Sequence, residues 1–227
     1  MTLWAANFTK KFWVMKTLFK SNLGGLGILT GLSFLLIYIT GKYILSISFY
    51  NNSGDIFSGL PDQDATVFDA LQKWIYITDV LYIVVKVNII AMILYTALFL
   101  SDQNISFDRV LNIVIKCEYI FLVPAAIKIP WFLHEYPNGT INDWHKTYVL
   151  SALSLFDNVP ADWYYPLQTL NVFEISYWFL LAYGLTKITK LNFDSALQTI
   201  LVSYLPALII WVATVCFCTL TMFPSHG

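Results

Sequence analysis

Five apolar runs divide this chain, at 24–49, 78–100, 110–133, 167–185 and 196–222. Each is close to the ~20 residues an α-helix needs to cross a hydrocarbon layer of ~30 Å. The chain as a whole is 58% hydrophobic and 12% charged, where a soluble domain carries a charged fraction of about 25%. One soluble core could not bury that much apolar surface. The sequence therefore predicts an all-α polytopic membrane protein with five transmembrane helices forming a single domain over 23–227.

The segment before the first run has a different pattern. Trp4, Phe8, Phe12, Met15 and Phe19 recur at steps of four or three, with Lys10, Lys16 and Lys20 off the stripe. That is the pattern of an amphipathic helix over 1–22 lying in the headgroup region, its lysines toward anionic lipid. A soluble helix docking on a partner would carry a similar stripe. Lys10, Lys11, Lys16, Lys20, Arg109, Lys187 and Lys190 fall on one side of the alternating spans, against Lys42, Lys73 and Lys146 on the other. The excess of basic residues marks the cytoplasmic side and gives an N-in, C-out orientation. The outer loops are then 50–77 and 134–166. In the first span Gly27 and Gly31 form a small-xxx-small pair that lets another helix approach closely.

One phrase occurs twice. "ISFDRVLNIVIKCEYIFLVP" starts at Ile105 and "LNFDSALQTILVSYLP" at Leu191. In each, Ser106 or Asn192 can cap a helix, and Asp108 or Asp194 follows in the first turn, where exposed amides favour a carboxylate. Two well-capped re-entries into the membrane explain the pattern; a true internal repeat of two-span units is the alternative.

The run "LNVFEISYWFLLAYGLTKITKLNFDSALQTILVSYLPALIIW", over 170–211, resembles the C-terminal part of Yip1-like membrane proteins. The resemblance lies in an "LN-x-F" helix entry with a tryptophan, a "GL" helix end, a short basic turn, and "F-x-x-AL…SY-x-P" opening the last span. It implies an all-helical five-span fold with a cytoplasmic N-terminus and no known catalytic centre. Eukaryotic relatives of that kind are linked to vesicle trafficking and small GTPases. No residue role transfers with the resemblance.

Ionisable residues inside membrane spans are expensive and mark functional sites by default. Counting ~1.5 Å per residue, Lys86, Lys128 and Glu174 come out roughly 12, 6 and 10 Å below the outer edges of their spans, which suggests one Lys86/Lys128/Glu174 cluster. Lys116 and Glu118 fall in the inner half and point in different directions. Such a cluster is either an ion-paired knot that fixes helix packing, or a polar cavity for a proton, an ion or an anionic headgroup.

No nucleotide-binding loop, nucleophile elbow or paired-cysteine motif occurs, and "HEYPNGTINDWH" (His134, Glu135, His145) lacks the spacing of a helical zinc motif. Cys117, Cys216 and Cys218 lie within apolar runs and act as small hydrophobes. With a net charge of −1 nothing suggests a nucleic-acid partner. The expectation is a protein that is not an enzyme and uses no cofactor or metal. Its partners would be the lipid bilayer and other membrane subunits or copies of itself, in a bacterial cytoplasmic membrane or alternatively an ER/Golgi membrane. Its function would be that of an accessory or scaffold subunit of a membrane assembly. The alternative is a small transporter or lipid-handling permease component using the Lys/Glu cluster.

Overall fold

Residues 22–46, 49, 64–156 and 159–222 are described by the computed structural model. The stripe Trp4, Phe8, Phe12, Met15 and Phe19 lies outside the described residues. The helices are α1 (Asn22–Tyr43), α2 (Asp64–Leu100), α3 (Phe107–Glu118), α4 (Leu122–Glu135), α5 (Ile141–Lys146), α6 (Tyr164–Thr169), α7 (Val172–Thr186) and α8 (Phe193–Met222). A single 3-10 turn, Tyr119–Phe121, joins α3 to α4. Among the described residues four stretches are long and apolar enough to cross a membrane: Asn22–Tyr43, Gln72–Leu100, Phe107–Glu135 and Phe193–Thr221. Their outer surfaces are apolar too, with Leu100, Val202 and Phe217 each two-thirds or more exposed. Water would not tolerate that surface, whereas lipid does, and a helix satisfies its own backbone groups within a bilayer. The chain is an integral membrane protein.

The fifth apolar run departs from expectation. The span predicted over 167–185 is interrupted at Leu170, and α7 starts afresh at Val172 with 15 residues, or ~22 Å. Asn171 causes the break. Its extended backbone and its Oδ1, which accepts from the Glu174 amide at 2.8 Å, make it the N-cap. A short bridge pairs it with Ser151, with Ala152 N–H donating to the Leu170 carbonyl at 2.9 Å.

The core lies between α2, α3, α7 and α8. Val87, Ala91 and Leu94 of α2, Val110 and Val114 of α3, Leu181 and Leu185 of α7, and Ala196 and Ile200 of α8 are buried together. α3 is the amphipathic one: Asp108, Arg109 and Lys116 are exposed while Val110, Val114 and Cys117 are buried. α1 runs parallel to α3. Asn112 Nδ2 donates to Asn22 Oδ1 at 2.8 Å, and Tyr119 donates to the Gly25 carbonyl at 2.6 Å. Farther along, Ile44 meets Ile129 and Phe132 of α4.

The glycine pair expected to mediate close packing does not do so within the chain. Gly27 and Gly31 are exposed, and a Cβ on either would meet nothing within 4 Å. The close approach is at Gly184 of α7, where a Cβ would come within 2.3 Å of Ile113 Cγ2 on α3. The repeated phrase opens two helices as read, but the caps differ. Asn192 Oδ1 accepts from the Ser195 amide at 2.8 Å, whereas Ser106 occupies the N-cap position of α3 with no side-chain bond. Asp108 and Asp194 sit in the first turns of α3 and α8.

Candidate functional site

Pro124 lies just inside α4. A proline lacks the N–H that would bond the carbonyl four residues earlier, and its ring crowds that carbonyl. The helix tightens into the 3-10 turn ahead of it, so α3 ends at Glu118 in the middle of a span. Glu118 is 5% exposed and forms an ion pair with Lys86 of α2. Measured from the turn that joins their helices, Lys86 is ~21 Å above Leu100 and Glu118 ~17 Å above Phe107. The lysine side chain covers the difference. Lys86 Nζ also sits 3.9 Å from the centroid of the Phe121 ring, a cation–π contact that partly replaces lost water.

Behind this pair lies Glu174, also 5% exposed. It is the third residue of α7, where the exposed amides and the helix dipole favour a carboxylate. Its Oε1 accepts from Trp178 Nε1 at 2.9 Å and from Tyr204 Oη at 2.7 Å. Tyr177 is wholly buried between Phe121 and Tyr204, with ring centroids 5.0 and 5.7 Å away. Among the described residues its hydroxyl has no hydrogen-bond partner, nor has Glu118 Oε2. An unmade hydrogen bond at a buried polar atom costs about 1–3 kcal/mol, so hydrophobic packing alone would not select these two groups.

The Lys86–Glu118 pair and Glu174 stand on the wall of a cavity of ≈ 1350 Å³ bounded by α1, α2, α4, α8 and the segment before α7. Small-molecule sites are typically about 300–1,000 Å³. The walls are mostly aliphatic, among them Leu36 of α1, Ile89 of α2 and Leu208 of α8. Tyr148, Tyr165 and Trp211 contribute aromatic rings at the other end, where Trp211 Nε1 donates to Tyr165 Oη at 2.9 Å. Burial raises the Tyr148 hydroxyl above its ordinary range.

Of the expected cluster, Lys86 and Glu174 line this cavity and Lys128 does not. Lys128 Nζ lies over the rings of Trp144 and Tyr148, at 4.0 and 4.6 Å. Its charge is held by the outer segment. Glu118, placed in the inner half from the sequence, takes its position as the partner of Lys86, and Lys116 is exposed on the opposite side of α3. Tyr177, Trp178 and Tyr204 were not singled out, because a Tyr or Trp within an apolar run has the same pattern as core. Asn171 followed by Glu174 three residues later is a capping signal that could have located the start of α7. His134 and Glu135 close α4 and His145 lies in α5. Among the described residues no three His, Cys, Asp or Glu side chains gather as a metal site would need.

No family model, curated protein or solved structure matches this chain.

Proposed function

We propose that the protein is a lipid-handling membrane component that holds an amphiphile in the cavity, working through the Lys86, Glu118 and Glu174 group. The observation that carries this reading is a group of charged side chains on the wall of a large aliphatic chamber at membrane depth. Such a chamber suits a molecule with one polar end and one apolar end. Packing alone gives no reason to keep Glu118 Oε2 unpartnered beside it. In this reading the chain spans the membrane five times, N-in and C-out, with α7 completed by the segment before it. The membrane is a bacterial cytoplasmic one, and the chain is of the Yip1-like type that the 170–211 run resembles.

A second reading, an accessory subunit of a larger assembly, is favoured by the exposed Gly27/Gly31 face of α1. Filling the cavity separates the two. Ala207 of α8 lines the chamber, and Ala207→Phe places a ring in it. Affinity of the purified protein for a fluorophore on a dodecyl chain, read by polarisation, is expected to fall about tenfold or more. The melting temperature should stay within a few degrees. Unchanged affinity would remove the cavity from the function and leave the accessory reading.

A further inference from the structure

Gly184 lets α7 lie against Ile113 of α3, and three basic residues flank that contact. Arg109 and Lys116 stand four residues before Ile113 and three after it, so all three share one face of α3. Lys187 is the C-cap of α7, three residues after Gly184, with its Nζ 4.4 Å from the centroid of the Tyr183 ring. Arg109, Lys116 and Lys187 are exposed, and so is Lys190 in the turn that follows. The two helices run antiparallel, since Gly184 meets Ile113 and Tyr177 meets Phe121. Helical side chains lean toward the N-terminus of their own helix. Arg109 and Lys116 therefore lean toward the turns at 101–106 and 187–192, and Lys187 leans up from them.

Among the described residues none of these four cations forms an ion pair. The carboxylates at this end are Asp102, Asp108 and Asp194. Asp108 shares a different face of α3 with Asn112, which donates to Asn22 of α1. Residues 1–21, which lead into α1, hold four lysines and no carboxylate. Lys116 lies nine residues beyond Phe107, ~14 Å along α3, in a stretch apolar enough to cross a membrane. An exposed ammonium at that depth is costly unless it reaches toward the interface and meets an anion there. A phosphodiester supplies that anion, with Arg109 offering a planar fork and the lysines point charges. Exposed Leu180, one turn above Gly184 on the same face of α7, offers apolar surface beside it. We propose that the groove between α3 and α7 binds the headgroup of an anionic phospholipid, with Arg109, Lys116 and Lys187 around its phosphate. The groove is separate from the cavity and does not depend on what the cavity holds.

Native mass spectrometry of the purified full chain tests this, in micelles doped with equimolar phosphatidylglycerol and phosphatidylcholine of matched acyl chains. Both carry the phosphodiester, but the choline ammonium cancels its charge. The phosphatidylglycerol adduct is expected to exceed the other about tenfold or more. Arg109→Gln/Lys116→Gln/Lys187→Gln should lose that preference, and Lys116→Gln alone should reduce it about fivefold. Lys146→Gln, at the other end of the bundle, and Lys86→Met/Glu118→Leu, in the cavity, should both keep it. Equal adducts on the wild-type chain, or an unchanged ratio in Lys116→Gln, would overturn the assignment. Loss of the preference in Lys86→Met/Glu118→Leu would overturn it too, by placing the lipid in the cavity. So would displacement of the lipid by inorganic phosphate at equal concentration, which would make the groove a site for the free ion.

Discussion

Lys86 and Glu118 hold each other in place, and the consequence is asymmetric. Removing one partner leaves a charge stranded away from water, which costs about 3–5 kcal/mol, whereas replacing both with apolar residues of similar size is often neutral. Glu118→Gln is therefore expected to lower the melting temperature of the detergent-solubilised protein sharply or to abolish its expression. The double variant Lys86→Met/Glu118→Leu should melt close to wild type, yet lose the dodecyl fluorophore. A double variant that binds as wild type does would make the pair a packing device only. The charged residues were legible in the sequence as a site because their cost in lipid is independent of fold. Their grouping was not. Depth counted from the outer edges of the spans separates them, because α2 runs on outward, back to Asp64. Counting from the shared inner turn brings Lys86 and Glu118 within a side chain of each other.

The elements follow from local chemistry, and so do two further tests. At Gly184, α7 lies against Ile113, whose branched side chain has little rotameric freedom in a helix. Gly184→Ala is expected to destabilise by about 1–3 kcal/mol through overpacking, and adding Ile113→Ala should recover most of it. An unchanged melting temperature for the single variant would show that the two helices part easily. In α5, Thr140 and Asp143 form a capping box, with the Thr140 amide and hydroxyl both donating to Asp143 Oδ2 at 2.8 Å. These bonds, chiefly the one from the amide, hold the carboxyl below its ordinary range. A lowered folded-state value stabilises α5 above the unfolded-state value near 4. That contribution disappears as pH falls through the folded-state value. Amide protection factors over 140–147, which are exchange rates corrected for their intrinsic pH dependence, should therefore fall once pH drops below about 4. In Asp143→Asn they should already be lower at neutral pH and lack that acid-side step; identical profiles for the two proteins would contradict the cap's role. The start of α7 was hidden in the sequence because Asn171 and Glu174 lie in a run whose mean hydropathy still reads as span. The two turns at 101–106 and 187–192 were plain because polar residues cluster there between apolar runs.

At the scale of the whole molecule, the four long apolar stretches among the described residues and the shorter α7 pack about a solid core, and a chamber opens beside it. The central pack of α2, α3, α7 and α8 is dominated by aliphatic side chains. α1 departs from it toward α4, and the chamber opens between them. Bulk hydropathy predicts a bundle but cannot predict a void, because voids depend on how helices splay and not on what they contain. A small amphiphile filling that void is what the proposed function requires. Native mass spectrometry of the protein released from its own membrane into mild detergent tests this most directly. The account predicts a stoichiometric low-mass adduct on the wild-type chain that is absent from Lys86→Met/Glu118→Leu. A bare chain mass, or foreign protein subunits at fixed stoichiometry with no small molecule, would contradict it.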